Sequence, residues 1–372
     1  MGSPAPAHPL GLSRRTFGVS VSAALLAALA GCRGTDTGSS TTSAEEPAAA
    51  DAASSAFPAT VEHRYGRTTI PAAPKRVAVV GLMEQDALLA LGVVPVAATE
   101  WFGEYPGAIW PWAKDALGDS PVPERLSSVD GIEFEKVAAV QPDLIIGIYS
   151  GQTREHYETL SKIAPTIAQP KGSTIDWAVS WQEITTMVGA AVGKPDKAKA
   201  LVDDLEALVA EYAADNPSFK GRTALMATPY EGIYVYGADD PRSQLLRSLG
   251  FVMPEGLGKV TGKEFGANLS EERTDLLDVD ALVWLFEKYE ADKRRIDANP
   301  LYTRLGVRTE GRDIFVAGDK EKAYYGATSF ISVLSLPMLL AGLVPQLAAA
   351  VDGEPTTAVP LVTAPPKAPS GG

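Results

Sequence analysis

Aromatic and arginine side chains that stand at or just past strand-like runs are the residues of this sequence best suited to chemistry. In order along the chain they are Trp101, Tyr105, Tyr149, Tyr230, Tyr236, Arg242, Trp284, Phe286 and Tyr325. Aromatic faces pack on apolar parts of a ligand, while tyrosine hydroxyls and arginine N–H groups donate hydrogen bonds to ligand oxygens. The pattern therefore predicts a small-molecule binding site. The alternative for each aromatic is core packing, and for Arg242 it is a helix-start ion pair with Asp239 or Asp240.

Motifs for catalysis are missing from the sequence. It contains no glycine-rich phosphate loop and no G-x-S-x-G nucleophile elbow. Beyond the N-terminal segment the only histidines are His63 and His156, which are far apart in sequence. Zinc sites usually draw on several histidine or cysteine ligands, so we expect no site for a bare metal ion, no catalytic residues and no enzymatic cofactor.

Length and charge limit the class of protein further. The chain has 372 residues and is 45% hydrophobic, which is enough for two lobes with separate cores. Its formal net charge of −13 argues against a nucleic-acid partner. Cys32 is the single cysteine, so no intramolecular disulfide can form.

The element that must position the candidate residues is a long helix within the stretch Asp176 to Asp215. Its apolar residues recur every three or four positions, the period of one buried helix face. They are Ala198, Leu201, Val202, Leu205, Leu208, Val209 and Tyr212. Pro195 and Asp196 suit the first turn of such a helix. Trp177 and Trp181, at the start of the stretch, are expected to serve packing.

A weak internal repeat flanks this helix. In the first half, the strand-like RVAVVG precedes a helix ending in Leu-Gly at Gly92, then EKVAAVQ and DLIIG. In the second half, RTALMA precedes a helix ending in Leu-Gly at Gly250, then ERTDLLD and DALVW. Four elements in the same order predict an α/β fold of two Rossmann-like lobes, joined by one long helix and facing each other across a cleft. Ligands of open α/β sheets bind at the carboxyl ends of the strands, where the candidate aromatics stand.

The two ends of the chain have the composition of targeting and tether segments. Ser13-Arg14-Arg15-Thr16-Phe17 is a twin-arginine signal, and a short apolar run leads to Leu29-Ala30-Gly31-Cys32. We interpret residues 1–31 as a signal peptide and Cys32 as a lipidation site, with residues 32–58 as a disordered tether. The remaining boundaries are an N-terminal lobe at 59–176, a helical segment at 177–216, a C-terminal lobe at 217–350 and a loose Pro/Ala-rich tail at 351–372. Within the C-terminal lobe, Gly318 to Phe330 is expected to be a loop that carries Tyr325.

From Ile70 to Ala349 the chain resembles the substrate-binding proteins of iron–siderophore and cobalamin ABC importers, known as class III periplasmic binding proteins. The similar segments are IPAAPKRVAVVG, DALLALGVVPVA, EKVAAVQPDLIIG, YETLSKIAPTIA and NPLYTRLGVRTEGRDIFVAGD. The resemblance implies two α/β lobes joined by a single long rigid helix. It also implies a non-catalytic protein that touches the chelator around an iron atom, and YSGQTREHYETLSKIAP and YVYGADDPR are closest to ferric-siderophore binders.

Glu135 and Glu272 are a second kind of candidate site. In the family, one exposed glutamate on each lobe meets arginines of the permease, and these two residues occupy the matching positions, with Glu271 as a competitor for the second. The alternative is that acidic residues in a first helical turn only complement the helix dipole.

The resulting hypothesis is a monomeric, lipid-anchored receptor on the outer face of the cell membrane. Its expected partners are a ferric siderophore, with hydroxamate types favoured by the acidic net charge, and an ABC permease dimer with its cytoplasmic ATPase. A cobalamin or haem binder of the same fold is the alternative, and an exported enzyme or a surface signalling or adhesion protein is a more distant one.

Overall fold

Two five-stranded sheets form the framework of the computed structural model, which describes residues 56–367. The strands are β1 (Ala59–His63), β2 (Gly66–Ile70), β3 (Val77–Val79), β4 (Ala97–Glu100), β5 (Glu124–Ser127), β6 (Leu144–Ile146), β7 (Thr166–Ile167), β8 (Ala224–Thr228), β9 (Tyr234–Tyr236), β10 (Gly266–Asn268), β11 (Ala281–Phe286) and β12 (Asp313–Ala317). The order β5-β4-β3-β6-β7 makes the N-terminal sheet and β10-β9-β8-β11-β12 the C-terminal one, while β1 and β2 form a separate hairpin.

Helices connect and cover these strands. They are α1 (Glu84–Ala90), α2 (Lys114–Leu117), α3 (Phe134–Ala139), α4 (Arg154–Leu160), α5 (Trp181–Ala191), α6 (Pro195–Asp215), α7 (Pro241–Ser248), α8 (Leu257–Thr261), α9 (Tyr289–Asp297), α10 (Gly306–Thr309), α11 (Lys322–Ala327) and α12 (Leu336–Ala350). Among these helices, none combines the length and apolar character needed to cross a bilayer.

The internal repeat predicted from the sequence is present in the sheets. Strands β3 and β6 are parallel neighbours in the first sheet, and β8 and β11 are parallel neighbours in the second. Asp143 accepts hydrogen bonds from the backbone N–H groups of Lys75 and Arg76, and Asp280 likewise accepts one from Thr223, so both aspartates tie the start of a central strand to its neighbour. The main difference between the sheets is β9, which is antiparallel to β8 and β10.

The predicted long helix is α6, which begins at Pro195 as expected. Ala198 and Val209 are buried and the other predicted apolar positions are partly buried, because this face packs on the main core cluster. Along the chain, α5 and α6 lie between β7 of the first sheet and β8 of the second. Helix α5 packs against α1 and β1, and α6 packs against α12 and α7.

A second crossing between the lobes is formed by residues 328–335, which the sequence did not predict. This segment follows α11 of the C-terminal lobe, lies against the N-terminal lobe and returns as α12. Phe330 stacks on Phe102 with ring centroids 5.7 Å apart, and Ser332 Oγ donates a hydrogen bond to Asp86 Oδ2. The main core cluster accordingly contains residues of both sheets, such as Ile146 and Val283.

Two segments differ from the sequence expectation. Residues 318–330 were predicted as a loop but contain α11, whose first turn is capped by the Glu321 side chain accepting from Ala323 N–H. The tail was predicted to be loose, yet in its described part Val359 and Val362 pack on the core and Pro360 O accepts a hydrogen bond of 2.7 Å from Gln346.

Candidate functional site

A cavity of about 630 Å³ lies between the two lobes. One wall is formed by residues that end or follow β4 and β5, and the opposite wall by residues that follow β11 and β12. These are the carboxyl ends of parallel strands in both sheets, the edge at which open α/β sheets bind ligands. We call this cavity the cleft.

Aromatic side chains from both lobes line the cleft. Trp101 and Phe102 come from the N-terminal lobe and Tyr325 from the C-terminal lobe, which is where the sequence predicted Trp101 and Tyr325. Lys322 bridges the lobes by donating a 2.7 Å hydrogen bond from Nζ to Gly103 O, and Nζ also lies 5.3 Å from the ring centroid of Tyr105. Tyr105 therefore lies beside the cleft although it is not part of its wall.

The charges on the walls of the cleft balance. The lining residues include four acidic side chains (Glu100, Glu104, Glu287 and Asp319) and four basic ones (Arg125, Lys136, Lys288 and Lys322). Arg125 pairs with Glu100 at 2.9 Å, and Lys136 pairs with Glu133 at the same distance. A ligand in the cleft therefore meets no excess of either sign.

Arg242 forms a buried ion pair with Asp240 at the start of α7. Its Nη1 donates to Asp240 Oδ1 and Oδ2 at 3.0 and 2.8 Å, and its backbone N–H donates to Oδ1 at 2.8 Å. Burial raises the pKa of the Asp240 carboxyl, and the adjacent guanidinium opposes that rise. The ion pair considered from the sequence is therefore present, but it occupies only one edge of the guanidinium.

Two tyrosines complete a cluster around Arg242. The guanidinium lies 4.1 Å from the Tyr236 ring centroid, a cation–π contact, and it is close enough to Tyr149 of the other lobe to interact with it electrostatically. Burial raises the pKa of both tyrosines, so each hydroxyl is neutral and available as a donor at physiological pH. Tyr236 Oη, Arg242 Nε and Ser243 Oγ are buried without a hydrogen-bond partner among the described residues. The cluster is not part of the cleft wall, but Tyr325 of that wall is close enough to interact electrostatically with Tyr236 and Arg242.

Glu84 positions Tyr149 at the lobe interface. Its Oε1 accepts hydrogen bonds from the backbone N–H groups of Ile148 and Tyr149 at 2.5 and 2.8 Å, while Oε2 accepts one from Met83 at 3.0 Å. These bonds fix the turn that follows β6. Trp177 packs edge-on against Tyr149, with ring centroids 5.5 Å apart.

Trp284 and Phe286, which the sequence predicted as ligand contacts, do not line the cleft. Both side chains have no exposed surface and lie in the outer core cluster of the C-terminal lobe. Trp284 Nε1 donates a 2.9 Å hydrogen bond to Tyr302 Oη, so even its polar atom is used inside the core. The reason is that β11 is a central strand packed on both faces, whose alternate aromatics point into a core rather than past the strand end. Tyr230 follows β8 and is half-buried, but it is outside the cleft wall.

Phe102, Lys322 and Trp177 are candidate site residues that sequence reasoning missed or set aside. Phe102 belongs to the aromatic-rich loop after β4, from which only its neighbours Trp101 and Tyr105 were chosen as candidates. Lys322 was hidden because α11 was predicted to be a loop. Trp177 was assigned to packing, yet its φ of +66° is rare for a tryptophan and points to a local constraint.

Glu135 and Glu272 lie in equivalent places on the two lobes. Glu135 is in the first turn of α3, and Glu272 is in the 3₁₀ helix Glu271–Leu277, the corresponding element of the repeat. Both are exposed, as is Glu271, and none of the three has an ion pair within residues 56–367. Cys32 and the twin-arginine signal lie outside the described residues. Within the described range no group of three or more His, Cys, Asp or Glu side chains is arranged to hold a metal.

Comparison with known proteins identifies a family. The sequence profile described as periplasmic binding protein matches residues 77–308. The probable siderophore-binding lipoprotein YfiY of Bacillus subtilis is 29% identical over 242 residues, covering 63% of this chain and 70% of that protein. The Fe(3+) dicitrate-binding periplasmic protein FecB of Escherichia coli is 26% identical over 261 residues, covering 68% and 80%.

Solved structures agree on the fold. A periplasmic solute binding protein from Mycobacterium smegmatis superposes with a TM-score of 0.68 at 33% identity, covering 79% of this chain and 98% of that one. The ferrichrome complex of PiaA from Streptococcus pneumoniae superposes with a TM-score of 0.69 at 23% identity, covering 79% and 99%.

Proposed function

This chain belongs to the periplasmic binding protein family, a family of substrate-binding proteins rather than enzymes, and we propose that it captures a ferric siderophore and delivers it to an ABC importer. The ligand binds in the cleft between lobes 59–176 and 217–350. The permease docks on the rim that carries Glu135 and Glu272. The protein acts as a monomer and needs no cofactor.

The observation that carries the proposal is the set of unused donors at the lobe interface. Tyr236 Oη and Arg242 Nε are buried and have no partner among residues 56–367, and Tyr149 of the other lobe interacts electrostatically with the same guanidinium. A buried donor without an acceptor costs about 1–3 kcal/mol, so these groups gain most from a ligand that brings oxygens to them. Iron chelators present such oxygens together with apolar arms, which suit Trp101, Phe102 and Tyr325 on the cleft walls.

The balance of charge favours a hydroxamate-type chelate. Asp240 already neutralises Arg242, and the cleft walls carry equal numbers of acidic and basic residues. A neutral or weakly charged complex fits such walls, whereas a trianionic catecholate complex would need an excess of cations.

The relatives support the ligand class and the location. YfiY is named as a siderophore-binding lipoprotein and FecB as a ferric dicitrate-binding protein. Together with the LAGC sequence ending at Cys32, they support anchoring through a lipid on that cysteine. Export by the twin-arginine route rests on Ser13 to Phe17 alone.

The test is a binding panel with the purified chain. Absorbance and tryptophan fluorescence are followed during titration with an iron–trihydroxamate, an iron–tricatecholate, haem and cobalamin. We expect saturable binding of the trihydroxamate at the lowest concentration. Preferential binding of haem or cobalamin would replace the siderophore assignment with that of another ligand on the same fold, and tightest binding of the catecholate would overturn the charge argument.

A further inference from the structure

A second, smaller cavity of about 140 Å³ lies within the N-terminal lobe. Its apolar wall is formed by five side chains, Val80, Leu82, Leu126, Ile132 and Trp177. It opens at the carboxyl ends of the strands, because Val80 follows β3 and Leu126 lies near the end of β5. Leu126 and Ser127 also line the cleft, so the two cavities are neighbours that share a wall. We call this cavity the side chamber.

Trp177 closes one side of the chamber in a constrained conformation. Its φ of +66° is in the left-handed region, which costs of order 1 kcal/mol or more for a residue with a side chain. Its indole lies over Gly151, where a β-carbon would come within 3.3 to 3.5 Å of the ring atoms. A side chain at position 151 would therefore pack closely against the indole, and the indole itself gives the chamber an aromatic wall.

The titratable groups in the chamber wall are already satisfied. Glu133 Oε2 accepts from Ser127 N–H at 2.6 Å and its Oε1 pairs with Lys136 at 2.9 Å. The Ser127 hydrogen bond lowers the pKa of Glu133, which therefore stays ionised. His156 caps α4 by accepting from Thr153 N–H, and its ring packs on Phe134. No charged group in the wall is left to attract an ionic partner.

We propose that the side chamber binds an uncharged, mainly apolar arm of the ligand held in the cleft. This inference rests on the proposed function and adds a ligand feature to it. A cavity of roughly 150 Å³ is large enough to hold a benzene molecule. The arm is therefore a single ring or a short acyl chain attached to the chelate, and it enters past Leu126 and Ser127.

The experiment uses two iron chelates that differ only in the arm. Ferrioxamine B is acylated on its free amine with either an acetyl or a hexanoyl group, so both complexes are uncharged and differ by four methylene groups. Dissociation constants are measured by fluorescence titration. Since each buried methylene favours binding severalfold, we expect the hexanoyl chelate to bind at least about tenfold more tightly than the acetyl chelate.

Filling the chamber gives the specific control. Ile132→Trp places a large ring into the chamber from its partly exposed edge, and Ser128→Phe does so from a second position. Val252→Trp adds the same bulk at an exposed site on the other lobe. The preference for the hexanoyl chelate should vanish in Ile132→Trp and Ser128→Phe and persist in Val252→Trp, with acetyl chelate affinity equal in all of them.

The outcomes separate this inference from the proposed function. If the acetyl chelate binds but the hexanoyl chelate binds no better, or if the preference survives both filling variants, the side chamber is not an arm site and the proposed function stands. If neither chelate binds the unmodified protein, the trihydroxamate assignment of the proposed function fails and the inference falls with it, whereas siderophore binding itself is decided by the binding panel. Thermal unfolding of each variant establishes that it is folded before titration.

Discussion

Asp86 of α1 and Ser332 of the 328–335 crossing are joined by a buried hydrogen bond between the two lobes. Ser332 Oγ donates to Asp86 Oδ2, which also accepts from Trp112 Nε1 at 2.6 Å. The other carboxylate oxygen, Oδ1, has no partner among the described residues. Burial raises the pKa of Asp86 from 3.8 to about 6, although both hydrogen bonds oppose the rise. The lobes are therefore tied at a position whose charge changes just below neutral pH.

Replacing Asp86 by asparagine should reveal this titration in the free energy of unfolding. Because the folded-state pKa is raised, the favourable contribution of Asp86 is full below about pH 4 and is lost as the pH rises through about 6. The unmodified protein should thus lose about 2 kcal/mol relative to Asp86→Asn between pH 4 and pH 7. Urea unfolding at four pH values measures the difference. If the free energies of unfolding of Asp86→Asn and of the unmodified protein depend on pH in the same way, the assignment is contradicted.

Removing the Tyr236 hydroxyl should weaken ligand binding without weakening the fold. Tyr236 Oη has no hydrogen-bond partner within the described part of the chain, so Tyr236→Phe breaks no hydrogen bond there. If the hydroxyl binds a ligand oxygen, affinity should fall by about 1–3 kcal/mol. The affinity is measured by the quenching of Trp101 and Trp177 fluorescence during titration with the ferric chelate.

The matched control is Tyr302→Phe in the outer core of the C-terminal lobe. Tyr302 Oη accepts from Trp284 and donates to Asp313 at 2.7 Å, so its loss should reduce stability and leave affinity unchanged. If the Tyr236→Phe variant and the unmodified protein bind the ferric chelate with equal affinity, the Tyr236 hydroxyl does not contact the ligand.

Local sequence patterns were sufficient to predict the two sheets and the long helix. The central strands β3 and β11 are nearly continuous apolar runs, and α6 has a helical period with a proline start, so each element carries its own signal. The repeat also predicted two lobes of similar topology, because its elements recur in the same order in both halves of the chain. The same reasoning missed α11, a six-residue helix whose start depends on the Glu321 side chain.

The candidate site was harder to predict because it depends on contacts between distant residues. Trp284 and Tyr236 are both aromatics in apolar strands, and only the packing of helices on each face decides that the first enters the outer core and the second the lobe interface. Asp86 and Ser332 are separated by 246 positions, and no residue adjacent to either of them in the sequence indicates that they form a hydrogen bond. The pairing of Arg242 with Asp240, two residues apart, was within reach of sequence reasoning and was considered there.

Lobe movement on loading should be small. The lobes are connected through α5 and α6 and also through the 328–335 crossing, in which Phe330 stacks on Phe102 and Ser332 binds Asp86. A wide opening would break these buried contacts, so we expect small-angle scattering to give nearly equal radii of gyration with and without ferric chelate. A marked decrease on binding would show that the crossing detaches in the free protein.

Cys32→Ala should abolish lipid attachment. The prediction rests on the order of twin arginine, apolar run and LAGC in the sequence. Metabolic labelling with a fatty acid and membrane fractionation measure the effect, and the variant should be unlabelled and either released or retained as precursor. Unchanged labelling and fractionation would show that the anchor lies elsewhere.

Replacing Glu135 and Glu272 together should impair transport and leave ligand binding intact. Both carboxylates are exposed and have no ion pair in the described part of the chain, so they contribute little to folding. Charges on the rim of an interface steer association and fix register more than they add affinity. Glu135→Ala with Glu272→Ala should therefore reduce iron uptake by cells, while chelate affinity and thermal unfolding of the purified protein stay nearly unchanged.

Charge reversal and a matched control make the docking test specific. Glu135→Arg with Glu272→Arg should lower uptake further than alanine, because like charges would then face each other if the proposed partner presents arginines at this interface. Glu158→Ala with Glu290→Ala removes one exposed carboxylate from each lobe away from the matched positions and should leave uptake normal. Normal uptake by Glu135→Ala with Glu272→Ala would show that the two carboxylates only complement their helix dipoles. Loss of chelate binding in solution would show instead that they contribute to the ligand site or to the fold.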